Sequence, residues 1–328
     1  MKKKIITLLV ALMATVASVH AQQISVVAPN GATTLYRTLP DAIKGAAAGS
    51  VVYLPGGGFS IPDSVKITKK LTIIGIGHKA NSDNVDGNTI INGNLWFNEG
   101  SSGSAVMGCY LTGRVIIGEN GIVDNVLVKL CFLNGVDVRN SNCVGTVVNQ
   151  NYVVDQLRMG NSDVIIKNNI VRFTNTGYGP CIVNVGSGVI QHNMLLYGSY
   201  SFYNVNATVT NNVITAWESL TYRGSSGTII SSGNMGTKAL GEDAIVIQPE
   251  KGWDDVFVNY NGGAVSTASN FHFKDEYKEY ENQVGIYAGD GFSVGALPPV
   301  PYIVAKKIDD KTDAAGKLNI KVRVKASE

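Results

Sequence analysis

The 328-residue sequence predicts an all-β chain wound as a parallel β-helix solenoid, and three observations carry that prediction. Short β-rich segments recur with Cys109, Cys131, Asn151, Asn169, Asn193 and Asn212 at one phase and Asn234 with one residue of slippage, at spacings of 22, 20, 18, 24, 19 and 22 residues. A period near 20 without a helical segment or a regular leucine pattern belongs to a solenoid coil rather than a propeller blade or a leucine-rich repeat. Charged residues make up only 16% of the chain and there are 37 glycines, which suits long uncharged strands joined by many turns.

The interrupting residues are informative because asparagine is a poor strand former. "VIIKNNIV", "TVVNQNYVV", "GVIQHNMLL" and "ATVTNNVIT" each place an asparagine where an apolar run breaks. In stacked coils about 4.8 Å apart, equivalent side chains form columns. A column of amides at a corner can bond up the stack and also satisfy turn backbone groups. Asn151, Asn169, Asn193 and Asn212 therefore read as an internal ladder, with Cys109 and Cys131 as its first steps. The competing reading is a row of exposed, ligand-binding amides. Asparagine also tolerates a left-handed backbone at a sharp corner.

At the N-terminus, "MKKK" followed by "IITLLVALMATVASV" and Val19-His20-Ala21 has the charged, apolar and small-residue parts of a secretion signal. Residues 1–21 are thus expected to be removed near Ala21, giving a secreted, periplasmic or outer-surface protein. No cysteine follows the apolar segment, so no lipid anchor is expected there. No later run is long and apolar enough to span a membrane. Without Lys2, Lys3 and Lys4 the chain carries 24 Lys and Arg against 25 Asp and Glu. That balance argues against nucleic acid as a partner, which would need a basic patch. In an oxidising compartment the four cysteines admit two readings. All four are small buried hydrophobes, or Cys109 and Cys131 form a bridge between adjacent coils. No Cys/His spacing points to a metal.

Thr38 and Pro40 start a predicted amphipathic helix, with Leu39, Ala42, Ile43, Ala46 and Ala47 on its apolar face. Such a helix would cover the open first coil. The next stretch, "VVYLPGGGF" followed by "VKITKKLTIIGIG", resembles the opening coils of secreted bacterial right-handed parallel β-helix proteins of the pectate-lyase-like superfamily. The resemblance spans roughly residues 33–295 and implies a right-handed coil. It implies little about chemistry, because that superfamily includes lyases, hydrolases, esterases and non-catalytic adhesins. "SNFHFKDEYKEYENQVGIYAGDGF" resembles the closing coil of the same proteins. The expected division is a signal peptide at 1–21, a β-helix at 22–296, and a linker with a C-terminal strand cap at 297–328. In that last part "LPPVP" is a stiff spacer. Leu318, Ile320, Val322, Val324 and Ala326 alternate with polar residues, which predicts a half-buried strand.

A pectate lyase of this fold needs an acidic cluster for calcium and a base; a hydrolase needs neighbouring carboxyls, one protonated. The coils from 105 to 240 are thin in carboxylates. The best catalytic candidates are Asp137 and Arg139 in "GVDVRN" with Asp155 and Arg158 in "VVDQLRM", expected on one face of adjacent coils. Alternating charges of this kind are more often a surface ion-pair patch. No cofactor is expected; calcium enters only under the lyase reading. Six aromatics fall in the 26 residues from Tyr197 to Tyr222, with Tyr178 just upstream. Tyr178, Tyr200, Tyr203, Trp217 and Tyr222 are the candidates for stacking on sugar rings, and Phe202 is expected to point inward. The leading functional expectation is a non-catalytic secreted or cell-surface protein that binds or adheres to a polysaccharide or surface glycan. The alternatives are a lyase or glycoside hydrolase acting on an acidic polysaccharide, and a structural surface protein.

Overall fold

The computed structural model describes residues 23–78, 87–173, 179–196, 200–216, 219–221, 225–239, 241–248, 250–263, 269–292, 297–298, 302–308, 311–312 and 315–325. The predicted signal segment lies outside these residues. The chain forms a nearly all-β parallel solenoid of about eight turns. Each full turn contributes strands to three walls. The first wall runs from Ser50–Tyr53 to Ile229–Ser232, the second from Gly57–Ser60 to Ile245–Val246, and the third from Leu95–Phe97 to Ser219–Thr221. The strands Leu157–Lys167 and Ile182–Gln191 run through both the third and the first wall and join them into one sheet.

Strand residues alternate between the inside and the outside of the coil. The inward column Val52, Ile73, Val106, Val128, Val148, Ile166, Ile190 and Val209 keeps register from rung to rung, and all eight side chains are fully buried. Burying each such side chain stabilises the fold by about 1.5–3 kcal/mol. β-Branched residues dominate because they suit a pleated surface with neighbours above and below.

The ladder is internal. Asn151, Asn169, Asn193, Asn212 and Asn234 are completely buried. The Oδ1 of Asn169 accepts from the Asn151 backbone N–H at 2.9 Å and from Asn151 Nδ2 at 3.0 Å. The same pair of bonds links Asn169 to Asn193, Asn193 to Asn212, and Asn212 to Asn234. Asn169, Asn193, Asn212 and Asn234 each also donate to the carbonyl two residues back, as Asn169 does to Lys167 at 2.9 Å. The thiols of Cys131 and Cys109 take the same carbonyl position, on Lys129 at 3.2 Å and Met107 at 3.4 Å. The left-handed residue is not the ladder asparagine, however. It is the residue before it: Leu130, Gln150, Asn168, His192 and Asn211 have φ between 55 and 58° apart from Asn168 at 52°. The corner bends before the ladder, so the amide side chain turns inward while its neighbour takes the backbone strain.

All four cysteines are free and buried. Burial pushes the Cys131 and Cys181 thiols up to about 12 and raises Cys109 and Cys143 as well. Because the thiolate is the reactive form, a thiol reagent at pH 8 is expected to label none of them in the folded protein and four per chain in denaturant. Two labelled thiols per unfolded, unreduced chain would instead show that Cys109 and Cys131 are bridged.

The first turn is closed as the sequence predicts. Helix α1, Leu39–Gly45, is capped by Thr38, whose Oγ1 accepts from the Asp41 N–H at 3.2 Å. It buries Leu39, Ala42 and Ile43, but ends before Ala47, which is exposed. The strand Ile24–Val27 pairs antiparallel with Ser50–Tyr53 and carries Thr33–Tyr36 on its other side. This covers the backbone edge of the first rung, which would otherwise be a template for association.

The C-terminal part departs from expectation. Residues 269–292, expected as a closing coil, do not wind as one. Residues 253–263 and 269–286 pack sideways on the outer face of the second wall, where Phe257, Phe271, Phe273, Tyr277, Val284 and Ile286 cover Tyr152, Ile170, Met194, Val213 and Met235. The outward column of that wall is apolar for this reason, and single-strand periodicity cannot tell an outer apolar column from a core one. The chain then runs back along the ladder corner as a strap. Gly285 N–H donates to Asn211 O, Asn168 Nδ2 to Ile286 O and Ala288 O, and Gln150 Nε2 to Gly291 O. Lys167 Nζ lies 2.5 Å from Asp290. Among the described residues, the strands Tyr302–Ile308 and Ile320–Lys325 pair only with each other. Every residue of Ile320–Lys325 is exposed, so this strand is not half-buried as its alternation predicts.

Candidate functional site

The third wall gathers the chemistry. Its outward register runs Trp96, Ile116, Asp137, Arg158, Val183 and Tyr203, one residue per rung. The pleat forces this row outward, because Leu95, Val115, Val136, Leu157, Ile182 and Phe202 on the same rungs are fully buried. Phe202 therefore points inward, as expected from its position among the tyrosines.

Asp137 and Arg158 stand side by side on adjacent strands. Arg139, two residues along from Asp137, bridges Glu119 at 2.7 Å and Asp137 at 3.3 Å. Asp155 sits at the turn below and pairs with Arg114 at 2.8 Å. Arg114 also donates to Gln156 O at 2.7 Å, and Gln156 Oε1 in turn accepts from Arg158 Nε at 3.2 Å. Burial lowers the Arg114 pKa, the neighbouring Arg158 charge adds to this, and Asp155 and Asp137 oppose it. Arg114 and Glu119 were not among the sequence candidates. They lie on or just past the strand Arg114–Ile117, one rung from Asp137 and two from Asp155, and only the rung alignment brings them into reach.

Trp96 marks the other end of the row. Its Nε1 donates to Asp63 Oδ1 at 3.0 Å, which also accepts from Asn94 Nδ2. These two hydrogen bonds lower the Asp63 pKa. Lys66 Nζ lies 3.2 Å from the centre of the indole ring and Arg139 Cζ lies 5.5 Å from it. Cations over an indole face are attracted by its quadrupole, so Trp96 is held in place and its ring is occupied. The periodic position of "NLWF" one rung before "RVII" was the available signal for Trp96.

Arg114, Arg139, Arg158 and Lys66 thus share one face with four carboxylates; Arg114 and Arg139 are paired with carboxylates and Lys66 lies over the indole ring. Arg158 is exposed, and among the described residues it enters no ion pair. Chemically this is a charged surface on which arginines hold Glu119, Asp137 and Asp155 while Asn94 and Trp96 hold Asp63, with the Arg158 guanidinium left to meet an anion. No group of three or more metal-ligating side chains occurs among the described residues. Of the aromatic candidates, Tyr200 and Tyr203 are half-buried on the strand Tyr200–Val205, at the far end of the row. Tyr178, Trp217 and Tyr222 lie outside the described residues.

The fold and this face define the chain as a parallel β-solenoid protein with a charged, aromatic-ended outer wall. Comparison with known proteins finds no matching family model, no matching curated protein and no matching solved structure.

Proposed function

We propose that the third wall is a non-catalytic binding ledge for an extended glycan on a secreted or surface-exposed protein of pectate-lyase-like type. The observation that carries the reading is the outward row from Trp96 to Tyr203, which repeats one side chain per rung. Rungs stand about 4.8 Å apart, close to the length of one sugar residue, so a chain laid along the axis keeps step with the row, meeting Arg158 and Tyr203 while Ile116 and Asp137 lie buried beneath their neighbours. Arg158 supplies the charge for an acidic sugar, and planar guanidinium donors match a carboxylate or sulfate. Tyr203 supplies a ring edge at the end of the row. The carboxylates at the centre are each engaged by an arginine, which supports holding over cleaving.

The test is retention and cleavage of a panel of acidic and neutral polysaccharides by the mature protein, with and without calcium. Retention of an acidic polymer without chain cleavage is expected. Folded Arg158→Ala is expected to bind about tenfold or more weakly, the size of a charge-assisted hydrogen bond. Tyr203→Ala should lose about fivefold, as for one aromatic contact. Unchanged retention by both variants would remove the ledge from the function. Unsaturated products released with calcium, and lost in Arg158→Ala, would make the protein a lyase instead.

A further inference from the structure

The solenoid and the C-terminal strand pair each leave an apolar surface uncovered. On the first wall the outward register runs Val51, Thr72, Ala105, Leu127, Val147, Ile165, Val189, Thr208 and Ile230. No charged residue occurs in that row over nine rungs. Its later part is open: Ile165 is 39% and Ile230 69% exposed, and Thr208 is exposed between them. The row differs from its counterpart on the second wall, which residues 253–263 and 269–286 cover.

The strand pair supplies the complementary surface. Leu318, Ile320, Val322 and Val324 are 45–56% exposed on one face of the second strand, while Lys321, Arg323 and Lys325 occupy the other. A two-stranded sheet alone is marginally stable in water. Alternation as strict as this is the pattern of a strand that covers something apolar, yet nothing described in the chain lies over it.

We infer that the strand pair of one molecule docks on the first-wall row of a second copy of this chain, giving head-to-tail association. Three observations select a second copy as the occupant. Both apolar faces are open in the same molecule, so the pair does not sit on its own wall. The later part of the row, from Val147 to Ile230, with Val147 and Val189 half-buried and Ile165, Thr208 and Ile230 exposed, covers five rungs, about 19 Å. The strand Ile320–Lys325 has six residues and is about 20 Å long, so the lengths agree. The charges also complement each other. Residues 306–328 hold seven Lys and Arg against four Asp and Glu, a net +3, whereas residues 22–305 hold 17 against 21, a net −4. Opposite net charges favour encounter between the tail of one copy and the body of another. Because the two surfaces differ, the contact is heterologous and does not close on itself in a pair.

Sedimentation velocity of the mature chain over a concentration series tests this. The wild type is expected to self-associate beyond a dimer, and less so at high salt. Ile165→Lys on the wall and Val322→Lys on the strand pair are each expected to weaken association about tenfold or more, the cost of losing one buried aliphatic side chain. Both positions are exposed, and circular dichroism checks that each variant folds. The decisive sample is the two variants mixed. One keeps an intact strand pair and the other an intact wall, so the mixture should form a discrete species of twice the monomer mass and nothing larger. A wild type that stays monomeric, or a mixture that does, overturns the inference.

Discussion

Gly188→Ala is expected to leave little soluble protein, and it is among the most damaging single changes the fold predicts. Gly188 lies in the strand Ile182–Gln191 with φ +143, a region that residues with a side chain rarely occupy, and an added Cβ would sit 2.0 Å from Val164 O on the preceding rung. That oxygen belongs to the parallel ladder, so it cannot move without breaking the register on both sides. Backbone strain alone costs about 1–3 kcal/mol, and the clash should bring the total to about 4–5 kcal/mol, the exceptional end of single substitutions. Gly31→Ala separates the two contributions. Gly31 has φ +83 with nothing within 4 Å of an added Cβ, so it should cost only the strain and lower the melting temperature modestly. If Gly188→Ala is soluble and melts with the wild type, the close stacking of these rungs is wrong.

The second large effect belongs to the ladder. Asn169→Ala removes the Oδ1 that holds Asn151 and the Nδ2 that donates to Val148 O, Lys167 O and Asn193 Oδ1. The site is fully buried, so water does not replace these partners. Unsatisfied buried groups cost about 1–3 kcal/mol each, and with several affected the loss should reach about 3 kcal/mol. Asn169→Asp keeps the acceptor but puts a carboxylate against the three acceptors that Nδ2 now serves. Burial and those acceptors would hold its folded pKa above the unfolded value of about 3.9. Its contribution is then fully present below the unfolded pKa and is lost as pH rises through the folded one. Asn169→Asp should therefore become relatively more stable on acidification from pH 7, judged against wild type at each pH. Equal melting curves for Asn169→Ala and wild type would place these amides at the surface.

These predictions separate what was legible in the sequence from what was not. The ladder was legible because its partners are one repeat apart: Asn151, Asn169, Asn193 and Asn212 occur at one phase, and stacking follows from the period alone. Its αL corner was placed one residue late, on the asparagines rather than on Leu130, Gln150, Asn168, His192 and Asn211, because an asparagine pair such as Asn168-Asn169 leaves the two roles undistinguished. Asp137 and Arg158 were legible as neighbours through the same count. Arg114, 41 residues from Asp155, was not, since that pairing skips a rung and depends on where each turn ends. The roles of residues 269–292 were also outside its reach. Their aromatic runs read as another coil, although Asn168 meets Ile286 across 118 residues and Gln150 meets Gly291 across 141.

By itself, then, the sequence determined that this chain winds into a β-solenoid, where the buried amides stack, and that a helix covers the first turn. Each of these depends on a side chain repeating at a fixed interval along the backbone, which chain geometry converts directly into a column. Only the tertiary structure decided which outward column is covered, which is charged and which stays open, and that the last strand, Ile320–Lys325, buries neither face. Inward and outward apolar residues obey the same period of two. The difference between them is set by what distant chain packs on the outside, and no local interval records it.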